Sequence, residues 1–161
     1  LEKEKSITFT GHRIIPFIRQ EEVRTQLTTV VALAYKSGIT CFYCGMALGF
    51  DLMAAEVVLS LKDKFSDIQL IAVVPFSGQS SRWTSSEQER YHQILSQANK
   101  VVTLSKNYFR GCLLRRNDYM LSHSCSVIAY YNGKPKGGTF YTVRKAERMK
   151  MNVVNIYGKR G

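Results

Sequence analysis

No run of apolar residues approaches the ~18 that a membrane-spanning helix requires, so an integral helical membrane protein is excluded. The opening Leu-Glu-Lys-Glu-Lys has no apolar stretch of the kind a secretion signal carries, and no initiator Met precedes it. Cysteine is scarce, four in 161 residues, too few to staple a chain long enough to bury a core of its own. A cytoplasmic protein with reduced thiols is the expectation. Cys41 and Cys44 form a CxxC, but three apart within a strand they point to opposite faces. No second CxxC or HxxxH completes a zinc set, so neither a metal nor a cofactor is expected. Internal repeats, low-complexity tracts and linkers are also missing, which predicts one domain over 1–161.

Acidic residues are missing from one part of the chain. The formal net charge is +11, yet residues 1–99 carry ten basic and ten acidic side chains. Residues 100–161 carry thirteen basic side chains against only Asp118 and Glu147. Such asymmetry fits a polyanionic partner or an anion-lined cleft. It also fits a solvated basic face that keeps the protein in solution.

What is present is a regular alternation. Short apolar runs rich in β-branched residues lie at Ser6–Thr10, Thr40–Cys44, Ile68–Pro75, Lys100–Ser105, Ser126–Tyr131 and Asn152–Ile156. Several are apolar at nearly every position, as strands buried on both faces of a parallel sheet are. Between them Val23, Leu27, Val30, Val31 and Ala34 recur at helical spacing until Gly38 stops the pattern. Leu52, Ala55, Val58 and Leu59 mark a second helix, with Asp51 placed as its N-cap. Glu87 to Ala98, Arg115 to His123 and Gly138 to Lys150 supply three more. The pattern predicts an α/β, Rossmann-like, three-layer open parallel sheet flanked by helices.

In such a sheet ligands bind beyond the carboxyl ends of the strands, where the strand order reverses. Thr10-Gly11-His12-Arg13 follows the first strand and Gly45-Met46-Ala47-Leu48-Gly49-Phe50-Asp51 follows the second. Asn132 to Thr139, with Gly137 and Gly138, follows the fifth. Glycine lets backbone approach an anion, and the N–H groups of a helix's first turn point at it. A phosphate cradle results, to which Arg13, Lys134, Lys136 and the Thr139 hydroxyl add donors. Neither glycine loop is the dinucleotide fingerprint or a phosphate-binding loop with its lysine, and glycines needed only for tight turns explain each loop equally well.

Asp51 is read as a helix cap, a partner for a ribose hydroxyl, or an acid–base group. His12 hydrogen-bonds a phosphate or shuttles a proton, whereas His92 and His123 lie in helical stretches as surface or packing residues. Arg116 and Asn117 open the fourth helix, where Arg holds an anion and Asn reads a base edge or ribose; a plain basic helix start fits the spacing too. Phe76 and Trp83 flank a long loop that acts as a lid stacking on a base, or that Trp83 simply pins to the body.

The ordered set Thr10-Gly11-His12-Arg13, Gly45–Asp51, Pro75-Phe76 with Trp83, Tyr91, Arg116-Asn117 and Gly137-Gly138-Thr139 resembles the SLOG superfamily, which includes the DNA-processing and LOG groups. It is most similar to the YpsA/YoqJ-like branch of uncharacterised bacterial proteins. The resemblance spans nearly the whole chain and implies a Rossmann-like sheet, a cleft for nucleotides or nucleotide-derived ligands, and a homo-oligomer. Its DNA-processing members bind single-stranded DNA, and their Gly-rich loop and Arg-Asn pair are similar to Gly45–Asp51 and Arg116-Asn117. Its LOG members are phosphoribohydrolases with a PGGxGT loop followed by Glu. Here Lys136-Gly137-Gly138-Thr139-Phe140-Tyr141-Thr142 has no such Pro, no Gly before the Thr and no Glu.

Three readings follow in order. The first is a module that binds or senses a nucleotide-like phosphorylated ligand through Gly11, His12, Arg13, Gly45, Gly49, Asp51, Phe76, Arg116, Asn117, Gly137, Gly138 and Thr139. The second is a single-stranded nucleic-acid binder using Arg144, Lys145 and Arg148 on one helical face, with Tyr108 and Phe109 to stack. Lys150, Lys159 and Arg160 add to that surplus of charge. The third is an enzyme cleaving the N-glycosidic bond of a nucleoside monophosphate with Asp51 or His12 in the reaction, ranked last because the LOG glutamate is absent.

Overall fold

The computed structural model describes residues 2–158. Six strands, β1 (Ser6–Gly11), β2 (Cys41–Cys44), β3 (Gln69–Val74), β4 (Lys100–Thr103), β5 (Ser126–Tyr130) and β6 (Asn152–Asn155), form one sheet. Its order is β4-β3-β2-β1-β5-β6, and every neighbouring pair is parallel. Five helices, α1 (Gln20–Lys36), α2 (Phe50–Ser60), α3 (Ser85–Gln97), α4 (Cys112–Ser122) and α5 (Gly137–Arg148), make the connections. The chain walks outward from β1 to β4, then returns to the other side of β1 to lay down β5. The order therefore reverses between β1 and β5.

Strand alternation sorts the core into two halves. Ile7, Phe9, Phe42, Cys44, Leu70, Ala72, Ile128 and Tyr130 pack with α1, α2 and α3 on one face. Cys41, Tyr43, Ile71 and Val73 meet Met120 of α4 on the opposite face. There too Val127 and Ala129 meet Val143 and Ala146 of α5. Cys41 and Cys44 fall on opposite faces, and among the described residues no cluster could hold a metal ion. Nor is any described helix long and apolar enough to cross a membrane.

α2 is apolar almost all round because it is wrapped by the sheet, α1 and α3, and its residues Phe50 to Ala55 are buried. Expected burial on both faces holds for the central strands and fails at the margins. β4 and β6 are edge strands, with Val101 44% exposed, because nothing pairs with their outer sides. α3 begins at Ser85, two residues before the expected Glu87. A capping box fixes that start: Thr84 accepts from the Glu87 N–H, and the Glu87 carboxylate accepts from the Thr84 N–H.

Candidate functional site

At the β1/β5 reversal the carboxyl edge of the sheet opens into a cleft of about 460 Å³. Its wall is built by the end of β1 (Thr10, Gly11) with His12 and Arg13, by Ala47 and Asp51, by α4, and by the turn Lys136 to Thr139. Three segments that sequence reasoning singled out separately are thus brought to one place.

α4 contributes differently from expectation. Arg116 and Asn117 were expected at its start, but the helix begins at Cys112, after Gly111 in the left-handed conformation (φ 92°). The pair therefore sits in the middle of the helix, on its buried side. Arg116 is 5% exposed and Asn117 8%. Arg116 Nη1 donates to the Gly45 carbonyl, and Nε donates to Asn117 Oδ1 at 2.7 Å. The Gly45 carbonyl also accepts from Gln79 Nε2 at 3.0 Å, and Gln79 Oε1 accepts from the Tyr91 hydroxyl at 2.9 Å. This chain of bonds fixes the guanidinium. Because Asn117 Oδ1 is taken, its Nδ2 is turned outward, 3.7 Å from where a Cβ on Gly138 would lie. Asn117 thus presents a donor beside α5, rather than the two-sided amide edge that reading a base needs.

The glycines of the β2–α2 loop serve packing. A Cβ on Gly45 would sit 2.8 Å from the Arg116 guanidinium, so Gly45 leaves room for that charge. A Cβ on Gly49 would run into the Arg13 backbone, and its φ of +80° disfavours any side chain. Neither Gly45 nor Gly49 lines the cleft. Gly11 does, and a Cβ there would strike the Phe50 ring. The glycines facing the cleft from α5 are Gly137 and Gly138, with buried Thr139 next to them. The residue before α5, Lys136, makes no side-chain cap bond. The first-turn N–H groups are left without a side-chain acceptor at the mouth of the cleft.

Asp51 was expected to cap α2. Gly49 occupies that position, and the carboxylate sits in the first turn, where Oδ2 accepts from the Ala47 N–H at 3.2 Å. Oδ1 is buried with no partner. Burial pushes the carboxyl up to about 6, against the pull of Arg116, the Ala47 N–H and Arg13. The same burial lowers the pKa of Arg116. A buried cation therefore faces a carboxyl that is reluctant to ionise.

His12 lines the cleft, but its Nε2 accepts from the Asn132 N–H at 2.8 Å. Tyr130, Tyr131 and Tyr157 surround the ring, and burial lowers its pKa. The imidazole ties the β1–α1 loop to the β5–α5 loop. Phe76 does not line the cleft; it packs edge-on against Tyr108, which does, at 5.3 Å. Trp83 packs on Tyr91 at 5.1 Å and pins its loop to the body.

The basic helical face is smaller than spacing implied. Lys145 is bound to Asp118 at 2.8 Å, leaving Arg144, stacked over Phe140, and Arg148 exposed. Lys159 and Arg160 lie outside the described residues. Sequence reasoning missed Ala47, Leu113 and Leu114 as cleft residues. Leu113 and Leu114 lie ahead of Arg115, where the helix was expected to begin, so they were not read as part of its cleft-facing side.

Residues 10–157 match the model of the YspA SLOG family. A UPF0398 protein of Halalkalibacterium halodurans is 29% identical over 147 residues, covering 90% of this chain and 75% of that one. One from Shouchella clausii is 32% identical over 103 residues, covering 62% and 55%. Among solved structures the fold resembles DNA processing protein A from Helicobacter pylori, described for its unique single-stranded DNA binding mode. The TM-score is 0.65 at 19% identity, over 94% of this chain and 64% of that one. The chain thus spans about two thirds of that structure and little over half of the Shouchella relative. Matched over nearly its whole length, the chain belongs to the YspA SLOG family.

Proposed function

We propose that the cleft binds a nucleotide or nucleotide-derived phosphorylated ligand. The observation that carries this reading is the fixed, buried Arg116–Asn117 pair opposite the uncapped first turn of α5. Arg116, Asn117 and the residues of that first turn line the same cleft. A phosphate oxygen would pair with the buried guanidinium and supply the acceptors the helix terminus lacks. The volume suits a mononucleotide, within the ~300–1,000 Å³ usual for small-molecule sites. Tyr108, at the mouth, offers a face to the base.

Calorimetric titration with a panel of nucleoside monophosphates tests the reading. Gly138→Asp is the control, because an acidic side chain is compatible with a helix's first turn and occupies the anion's seat. Binding that this variant loses supports the proposal. No heat from any nucleotide at millimolar concentration sinks it.

A second reading is single-stranded nucleic-acid binding. It is favoured by the fold's likeness to DNA processing protein A and by exposed Tyr108 and Phe109, the latter under Arg115 at 5.7 Å. Stacking and a strong salt dependence mark such binding. Oligonucleotide affinity that hardly changes between low and high salt argues against it.

A further inference from the structure

The first turn of α4 gives the cleft a second character. The helix starts at the carboxyl edge of the sheet, and Leu113 and Leu114 line the cleft together with Tyr108 from the preceding loop. Leu113 shares a helix face with Arg116 and Asn117, which follow it at helical spacing. One turn, about 5.4 Å, separates the apolar pair from the polar pair. Exposure follows the same order: Leu114 is 38% exposed, whereas Arg116 and Asn117 are buried. An apolar shelf at the mouth thus stands above a polar seat, with a ribose-sized step between them.

The charges gather at the seat. Arg13 acts electrostatically on both Asp51 and Arg116, and Lys136 immediately precedes α5. On the shelf the polar side-chain group is the Tyr108 hydroxyl, which rotates to donate or accept. Telling bases apart takes fixed acceptors as well as donors, because an amino group on one base stands where another carries a carbonyl oxygen. The fixed acceptors around the cleft are engaged. Asn117 Oδ1 accepts from Arg116 Nε, and Asp51 Oδ2 accepts from the Ala47 N–H. His12 Nε2 accepts from the Asn132 N–H, which leaves the proton of the neutral ring on Nδ1, a donor. At the rim the Gly111 carbonyl accepts from the Arg115 N–H at 2.9 Å. Asp51 Oδ1 is unpartnered, but it is buried away from the shelf.

We infer that the cleft selects its ligand by the phosphate and accepts any base, because the shelf of Tyr108, Leu113 and Leu114 holds the base by apolar contact and reads none of its edges. The inference rests on the nucleotide reading of this cleft and narrows it to nucleoside monophosphates as a class, purine and pyrimidine alike. The N–H groups of the α4 first turn do not alter this, since every base carries a ring or carbonyl acceptor for them. The shelf contributes in proportion to the apolar area it covers, and Leu113 and Leu114 are its determinants.

Calorimetric titration with adenosine, guanosine, cytidine and uridine monophosphates, and with ribose 5-phosphate, tests this in wild type and Leu114→Ala. The four nucleotides are expected to bind wild type within about tenfold of one another, the span that the larger area of a purine allows. Ribose 5-phosphate, with no base to lay on the shelf, should bind at least about tenfold more weakly than the adenine nucleotide. In Leu114→Ala that gap should narrow about fivefold, with the order of the bases unchanged. A preference above about tenfold for one base, a smaller gap to ribose 5-phosphate, or a gap that Leu114→Ala leaves as it was overturns the inference while the phosphate seat stands. Failure of all five phosphates to bind removes the seat and the shelf together.

Discussion

Replacing Asp51 by Asn removes a charge that the fold holds at a cost. The carboxyl is 6% exposed, with Oδ2 on the Ala47 N–H and Oδ1 unpartnered. Burial outweighs the nearby arginines and raises its pKa from 3.8 to about 6. Between those values the folded protein binds more protons than the unfolded chain, so stability falls as pH rises. The group's contribution is fully present below 3.8 and is lost as pH passes through about 6. A displacement of that size corresponds to about 3 kcal/mol. Asn keeps an acceptor for the Ala47 N–H and cannot ionise. Asp51→Asn should therefore match wild type near pH 4 and exceed it by about 3 kcal/mol near pH 8. Urea unfolding followed by the fluorescence of Trp83, the one tryptophan, measures the difference at each pH. A difference that stays constant with pH, or a variant weaker than wild type near pH 8, refutes the buried-charge account.

Ligand binding should take up a proton near pH 7, because an anion beside Asp51 raises that pKa further; titration in buffers of different ionisation enthalpy reads it. Gly45→Ala drives its methyl into the buried, hydrogen-bonded guanidinium of Arg116. Nucleotide affinity should fall about tenfold by calorimetry, and the melting temperature should fall as well, because Arg116 gives up its bonds to Gly45 and Asn117. Gly49→Ala meets the fixed backbone of Arg13 at a positive φ, and urea unfolding should show a loss of about 3 kcal/mol.

Much of the architecture was legible because buried parallel strands announce themselves. Ile71 to Val74 and Val127 to Tyr130 have no polar interruption, and only a sheet covered on both sides tolerates that. Gly38 ended α1 as expected, since its φ of +114° suits glycine. What remained hidden depended on through-space packing. The local pattern of Cys112 to Arg115 does not reveal that Gly111 opens α4 early, so Arg116 was placed at the helix start rather than in its buried middle. Gly45 and Gly49 looked like a phosphate loop because glycine needed for side-chain clearance is indistinguishable in sequence from glycine needed for a ligand. Phe76 looked free to stack, and Tyr108 covers it. Lys145 looked available, and Asp118 on the neighbouring helix holds it.

The central claim is that Arg116, Asn117 and the first turn of α5 form one seat for a phosphate. Its most direct measurement is isothermal titration of a nucleoside monophosphate against the matching nucleoside, in wild type and Gly138→Asp. Saturable binding of the monophosphate alone, abolished in the variant, is the predicted result. Equal binding of the nucleoside, or binding unchanged by Gly138→Asp, would contradict it.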